Sequence, residues 1–167
     1  MIRSLLAIAL CCLTFALPAR ASERVEAPTS YNEIAGIVAQ VSKVFTPMGN
    51  GDTHTRIKQL RKANWLQEML DFNDLEEHYR KHPTPEALNR LDHFTPTDDP
   101  KVILAGLADL ADVLNDLSKE PGFEDRLRKA GFTTHSYGGL VSLLQALLDE
   151  PRDQAIQSIK QVMQQQV

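Results

Sequence analysis

The sequence predicts an all-α fold: a single compact, irregular (orthogonal) bundle of about eight helices, several of them short. Three observations carry that expectation. Apolar residues recur at three- and four-residue spacing through nearly every segment. No segment sustains the period of two expected of a half-buried strand. Proline and glycine break the pattern often, whereas a long four-helix bundle would carry fewer breaks.

Residues 1–21 stand apart from the bundle and read as a cleavable signal peptide. Arg3 and the amino terminus form a positive region, Leu5 to Leu17 an apolar run broken by Thr14, and Pro18 a stop. Ala19-Arg20-Ala21 then supplies the small-x-small cleavage pattern. The run is short for a bilayer span, which takes roughly 20 apolar residues. Residues 22–29 are expected to form a flexible leader, and residues 30–167 a single helical domain.

Ser30 opens the first helix in a capping box with Glu33. Ile34, Ile37, Val38, Val41, Val44 and Phe45 share a face, and the helix should end near Thr46, before Pro47. Met48 to Asp52 reads as a loop, with Asn50-Gly51 as its turn. The second helix is predicted from Thr53 to Asp71, burying Ile57, Leu60, Ala63, Leu66, Met69 and Leu70. Asn73 and Glu76 are placed to cap a third, which ends at His82-Pro83. Thr84-Pro85 starts a fourth with proline at its favoured first position, pointing Leu88 and Leu91 inward.

The fifth helix has the clearest pattern. Asp99 caps it, Pro100 opens it, and Ile103, Leu107, Leu110, Leu114 and Leu117 form one stripe ending before Pro121-Gly122. Phe123 to Ala130 makes a short helix closed by Gly131, a left-handed cap. Thr134 caps the seventh, which buries Leu140, Leu143, Leu144, Leu147 and Leu148. Pro151 begins the last, with Ala155, Ile156, Ile159 and Met163 inward, and the Gln164–Gln166 tail should fray.

The leader bounds the function. Its removal takes away Cys11 and Cys12, leaving no disulfide, thiolate metal site or cysteine nucleophile. No Asn-x-Ser/Thr acceptor occurs, and both absences favour a bacterial periplasmic protein over a eukaryotic secreted one. Without Arg3 and Arg20, 16 of the 18 basic residues face 22 acidic ones, a net charge of −6. Such a balance disfavours nucleic acid and anionic membrane surfaces as partners. No transmembrane segment is expected once the leader is removed.

Several groups of residues are candidates for chemistry. Arg56, Lys58, Arg61 and Lys62 make a basic surface, and Trp65 beside them is either a partner anchor or a core residue. On the first alternative Arg56, Arg61, Lys62 and Trp65 form a partner-binding patch. His78 and His82, one turn apart, with His93 on the next helix, are weak candidates for a metal site. The plainer reading of the pair is a polar helix face, with His82 favouring the helix C-terminus. No metal or other cofactor is expected.

Thr134-His135-Ser136-Tyr137-Gly138 approaches the G-x-S-x-G nucleophile pattern but lacks its first glycine and its preceding strand. Thr134 or Ser136 is instead expected to bind backbone N–H groups at a helix start. Gly138-Gly139 inside a helix suggests close helix crossing, with backbone approach to a ligand as the alternative. The expected function is therefore that of an exported periplasmic interaction protein, not an enzyme. It would be an adaptor, inhibitor, immunity-type or assembly accessory factor that binds a protein of the cell envelope. The alternative is a periplasmic carrier of a small ligand or metal, and a small helical enzyme comes third.

Overall fold

The computed structural model describes residues 25–45 and 51–164. The expected signal peptide, residues 22–24 of the leader, the turn at residues 48–50 and the last three residues lie outside them. Eight α-helices and no strand occur among the described residues. They are α1 (Tyr31–Val41), α2 (Asp52–Lys62), α3 (Asn64–Lys81), α4 (Pro85–Asp92), α5 (Pro100–Ser118), α6 (Phe123–Lys129), α7 (Thr134–Leu148) and α8 (Arg152–Gln164), with a 3-10 turn over Ser42–Phe45 after α1. The all-α class expected from the sequence is the class observed.

One hydrophobic cluster draws on all eight helices. α5 is its centre. It packs on α2, α3, α7 and α8, and its predicted stripe from Ile103 to Leu117 is fully buried. Asp99 caps α5 by accepting the Lys101 N–H at 2.8 Å. α1 packs most extensively on α3, where Tyr31, Phe72 and Phe94 form an aromatic cluster with ring centroids 5.0–6.1 Å apart. Of the leader, residues 25–29 have no regular structure, but Pro28 is buried and Ala27 packs against the core.

Four local expectations need correction. The Ser30 hydroxyl does accept the Glu33 N–H at 3.2 Å, but the Glu33 carboxylate accepts from Thr29 N–H at 2.7 Å and not from Ser30. The helix predicted from Thr53 to Asp71 breaks at Ala63, whose ψ of 130° is extended, and resumes at Asn64. α3 then runs straight through Asn73 and Glu76. These polar residues face α1: the Asn32 amide donates to Glu76 at 3.0 Å, so the pair serves helix packing instead of a cap. Finally, Leu88 is 38% exposed, and α4 buries Ala87 with Leu91 one turn on.

Gly122 and Gly131 bracket α6 with φ of 81° and 87°, conformations that residues with a Cβ rarely adopt. Gly131 is the left-handed stop expected there. The chain then enters α7 through Thr133 and not Thr134, the residue expected to cap it, and the cap is a capping box. The Thr133 hydroxyl accepts the Ser136 N–H at 3.1 Å, and the Ser136 hydroxyl accepts the Thr133 N–H at 3.0 Å. Among the described residues no helix is long and apolar enough to cross a membrane.

Candidate binding surface

The basic segment does not form one free patch. Arg56 reaches across to α5, 2.8 Å from Asp116 and 4.0 Å from Asp112. The Arg61 guanidinium donates to the Phe45 carbonyl at 3.0 Å, satisfying an acceptor of the 3-10 turn. Lys58 and Lys62 remain exposed. Trp65 is only 4% exposed, so the core alternative is the one realised and the surface-anchor expectation does not hold for this side chain. Its indole lies on the backbone of Gly106 in α5. A Cβ added at Gly106 would stand 2.3 Å from the ring atoms Cε2 and Nε1. Burial of the ring is thus built on a glycine that sequence reasoning passed over.

His78 and His82 do share an exposed face of α3, their rings 5.4 Å apart and tilted by 47°. His93 is committed locally, with Nδ1 2.8 Å from the Asn89 carbonyl. Among the described residues no group of three or more His, Cys, Asp or Glu side chains is placed to hold a metal ion. Ser136 sits in the first turn of α7 with its hydroxyl engaged in the capping box, and Thr134 takes no part in that cap.

Gly138 and Gly139 are the larger surprise. Both are exposed, and a Cβ added at either would meet nothing within 4 Å. Close helix crossing, the expected reason for them, is therefore overturned; the close crossing in this fold is at Gly106. Each helical glycine costs about 1 kcal/mol relative to alanine. Here no contact among the described residues offsets that cost.

Two cavities open on either side of this stretch of α7. One, of about 600 Å³, lies against α6 and includes Glu120, Phe123, Glu124, Asp125 and Leu127 in its wall. The other, of about 370 Å³, lies against α5 and includes Asp112, Leu114 and Val141. Ser118, Tyr137 and Gly138 belong to both walls, so the two make one trough bounded by α5, α6 and α7. Among the described residues its lining carboxylates are Asp112, Glu120, Glu124 and Asp125, and no lysine or arginine lines it.

Tyr137 is the buried centre of the trough wall. It is 7% exposed, and its ring is held edge-on by Phe123 at 5.4 Å and Phe132 at 6.1 Å. Among the described residues its buried hydroxyl has no hydrogen-bond partner, a condition shared only by His54 Nδ1. A buried polar group left unsatisfied costs about 1–3 kcal/mol. Burial also pushes the phenol up to about 12, and it pushes Tyr31 higher still, where Glu68 and Asp98 add to the effect.

Raised phenol values favour the neutral ring in the folded chain. The associated stability is complete below the ordinary value of 10.0 and is lost as pH rises through about 12. Tyr137→Phe should therefore flatten the fall in stability above pH 10, and it should remove one late phenolate signal from an ultraviolet titration. Loss of a phenolate signal near the ordinary value of 10.0 instead would mean that the Tyr137 hydroxyl is open to water.

Compared with known protein families, curated proteins and solved structures, the chain shows no significant match to any of them.

Proposed function

We propose that this chain is an exported, periplasmic interaction protein, an adaptor, inhibitor, immunity-type or assembly accessory factor, that holds a protein partner along the α5–α6–α7 trough. The export half of the proposal is supported by the leader pattern of residues 1–21. The binding half is supported by one observation above the others: bare helical backbone at Gly138, in the wall of an open trough, with nothing packed over it among the described residues. Glycine lets a second backbone approach closely. A partner segment is the occupant that uses that property. Arg56, Arg61, Lys62 and Trp65 are not in the wall of this trough, although Arg56 reaches its wall residue Asp112 at 4.0 Å.

A photo-crosslinking residue placed at Gln145, on the trough wall, and at Lys160, on exposed α8, tests the reading in living cells. The reading predicts a discrete adduct from position 145 in the periplasmic fraction, absent from position 160 and lost when Gly138→Val fills the gap. Equal adducts from both positions, or none, would remove the trough as a docking surface.

A second reading, a carrier of a small apolar ligand, is favoured by the cavity of about 380 Å³ between α5 and α8. Leu104, Ala105, Ala108 and Ile156 line it, with Lys101 and Arg152 in its wall. Native mass spectrometry of protein purified from its host should then show a bound lipid that Ala105→Trp displaces.

A further inference from the structure

Resting on the second reading, of the cavity between α5 and α8 as a ligand site, we infer that its occupant is a single-chain anionic amphiphile of the fatty-acid class, with its carboxylate held by Lys101 and Arg152 and its alkyl chain along Leu104, Ala105 and Ile156.

The first observation is uncommitted charge. Among the described residues neither the Lys101 ammonium nor the Arg152 guanidinium has an ion pair or a side-chain hydrogen bond. Acidic residues outnumber basic ones by 22 to 18 in the whole chain. Arg56, Arg126 and Arg128 all find carboxylates within the fold. Two cations without partners in the wall of one cavity therefore make a local positive site. Glu150 also lines that wall, but its carboxylate already accepts the Ser158 hydroxyl at 2.9 Å. Asp99 and Asp153, the acidic neighbours in the chain, are not in the lining, and Asp99 is engaged as the cap of α5.

The second observation is the order of charge and apolar surface. On α5, Lys101 comes one turn before Leu104 and Ala105. On α8, Arg152 comes one turn before Ala155 and Ile156. Each helix thus offers the cavity a cation followed by apolar side chains about 5.4 Å further along its axis. The long stems of lysine and arginine let their heads turn toward a common anion while the stems extend the apolar wall. A molecule with a charge at one end and a hydrocarbon chain behind it has the same order.

The third observation is size. The cavity holds about 380 Å³, near the lower end of the roughly 300–1,000 Å³ usual for small-molecule sites. It has room for one short alkyl chain and not for the two long chains of a membrane lipid. A small inorganic anion would use the cations and leave the apolar wall bare. A neutral hydrocarbon would cover the wall and leave both cations without a partner.

The experiment is isothermal titration calorimetry of the purified protein with three compounds. Decanoate carries both features, decyltrimethylammonium has the same chain with the opposite charge, and acetate has the carboxylate alone. The expected result is one decanoate site, with decyltrimethylammonium about tenfold weaker and acetate without measurable binding. Lys101→Gln with Arg152→Gln should weaken decanoate about three- to tenfold, the range for two partly solvated ion pairs, and reduce its salt dependence. Ala105→Trp should abolish decanoate binding by filling the space. Thermal melts of each variant confirm that it folds.

Equal binding of decanoate and decyltrimethylammonium, both lost in Ala105→Trp, would overturn the anionic head and leave the carrier reading standing. An unchanged decanoate affinity in the variant lacking both cations would overturn the assignment of Lys101 and Arg152. Acetate binding as tightly as decanoate would overturn the alkyl chain. Absence of decanoate binding, or binding insensitive to Ala105→Trp, would remove both the inference and the carrier reading beneath it.

Discussion

Gly106→Ala should lower the unfolding free energy by about 3 kcal/mol, the upper part of the range for inserting a methyl into a packed interior. The new Cβ would stand 2.3 Å from Trp65 Cε2 and Nε1 and 2.7 Å from Cζ2. No pair of carbon atoms tolerates that approach. The far end of a flexible side chain could swing aside, but here the neighbour is a rigid ring, buried at the start of α3 and packed within the main core. Either the indole moves or α3 and α5 separate. Alanine elsewhere in a helix is favourable by propensity, so the sign of the effect isolates the contact. Urea denaturation, with the midpoint and slope compared to the parent chain, measures it. A change within about 0.5 kcal/mol, as at a surface position, would mean that the indole does not rest on Gly106.

Trp65→Ala should cost more, about 3–5 kcal/mol, because it removes the largest side chain type from a closed environment and leaves a cavity. This prediction also separates the two readings of Trp65 that the sequence leaves open. A surface anchor could be truncated with little loss of stability and a large loss of binding. The buried ring gives the reverse. The two substitutions should not add. Once the indole is gone, the methyl of Gly106→Ala has space to enter, so the double variant should be more stable than the sum predicts by about 1–3 kcal/mol. Simple additivity would argue against direct contact between the two positions.

The contrast between α5 and α3 explains how far the sequence could be read. The stripe from Ile103 to Leu117 is periodic, capped by Asp99 and opened by Pro100, so local and tertiary preferences agree and its ends follow. α2 and α3 are divided at Ala63, a good helix former with no proline or glycine beside it. Nothing local marks that break. It is fixed by the packing of Ile57 and Leu60 on one side and Trp65, Leu66 and Met69 on the other. Asn73 and Glu76 have cap spacing, yet residues of this kind also bond between helices, as Asn32 and Glu76 do. Leu88 fits the apolar period of α4, but a two-turn helix has too few positions to settle which face is buried.

The candidate surface was legible only in part. Gly138-Gly139 stands out in the sequence as an expensive pair, and both explanations for it could be named. Choosing between them needs the neighbours, and among the described residues these are absent over Gly138 and Gly139 while they crowd Gly106. The lone glycine within the strong stripe of α5 was itself a signal, since such a residue needs a packing reason. Tyr137 gave no sequence signal. Its burial depends on Phe123 and Phe132, which reach it only after Gly122 and Gly131 turn the chain. The basic run from Arg56 to Lys62 misled because two of its cations face partners on α5 and on the 3-10 turn.

The central claim is that Gly138 and Gly139 serve something outside the fold. The unfolding free energy of the Gly138→Ala, Gly139→Ala double variant tests it most directly. The account predicts a gain of about 1–2 kcal/mol, because alanine is favoured in a helix and both new methyl groups enter open space. A loss of stability would contradict it, since the glycines would then be required by the packing of the chain itself.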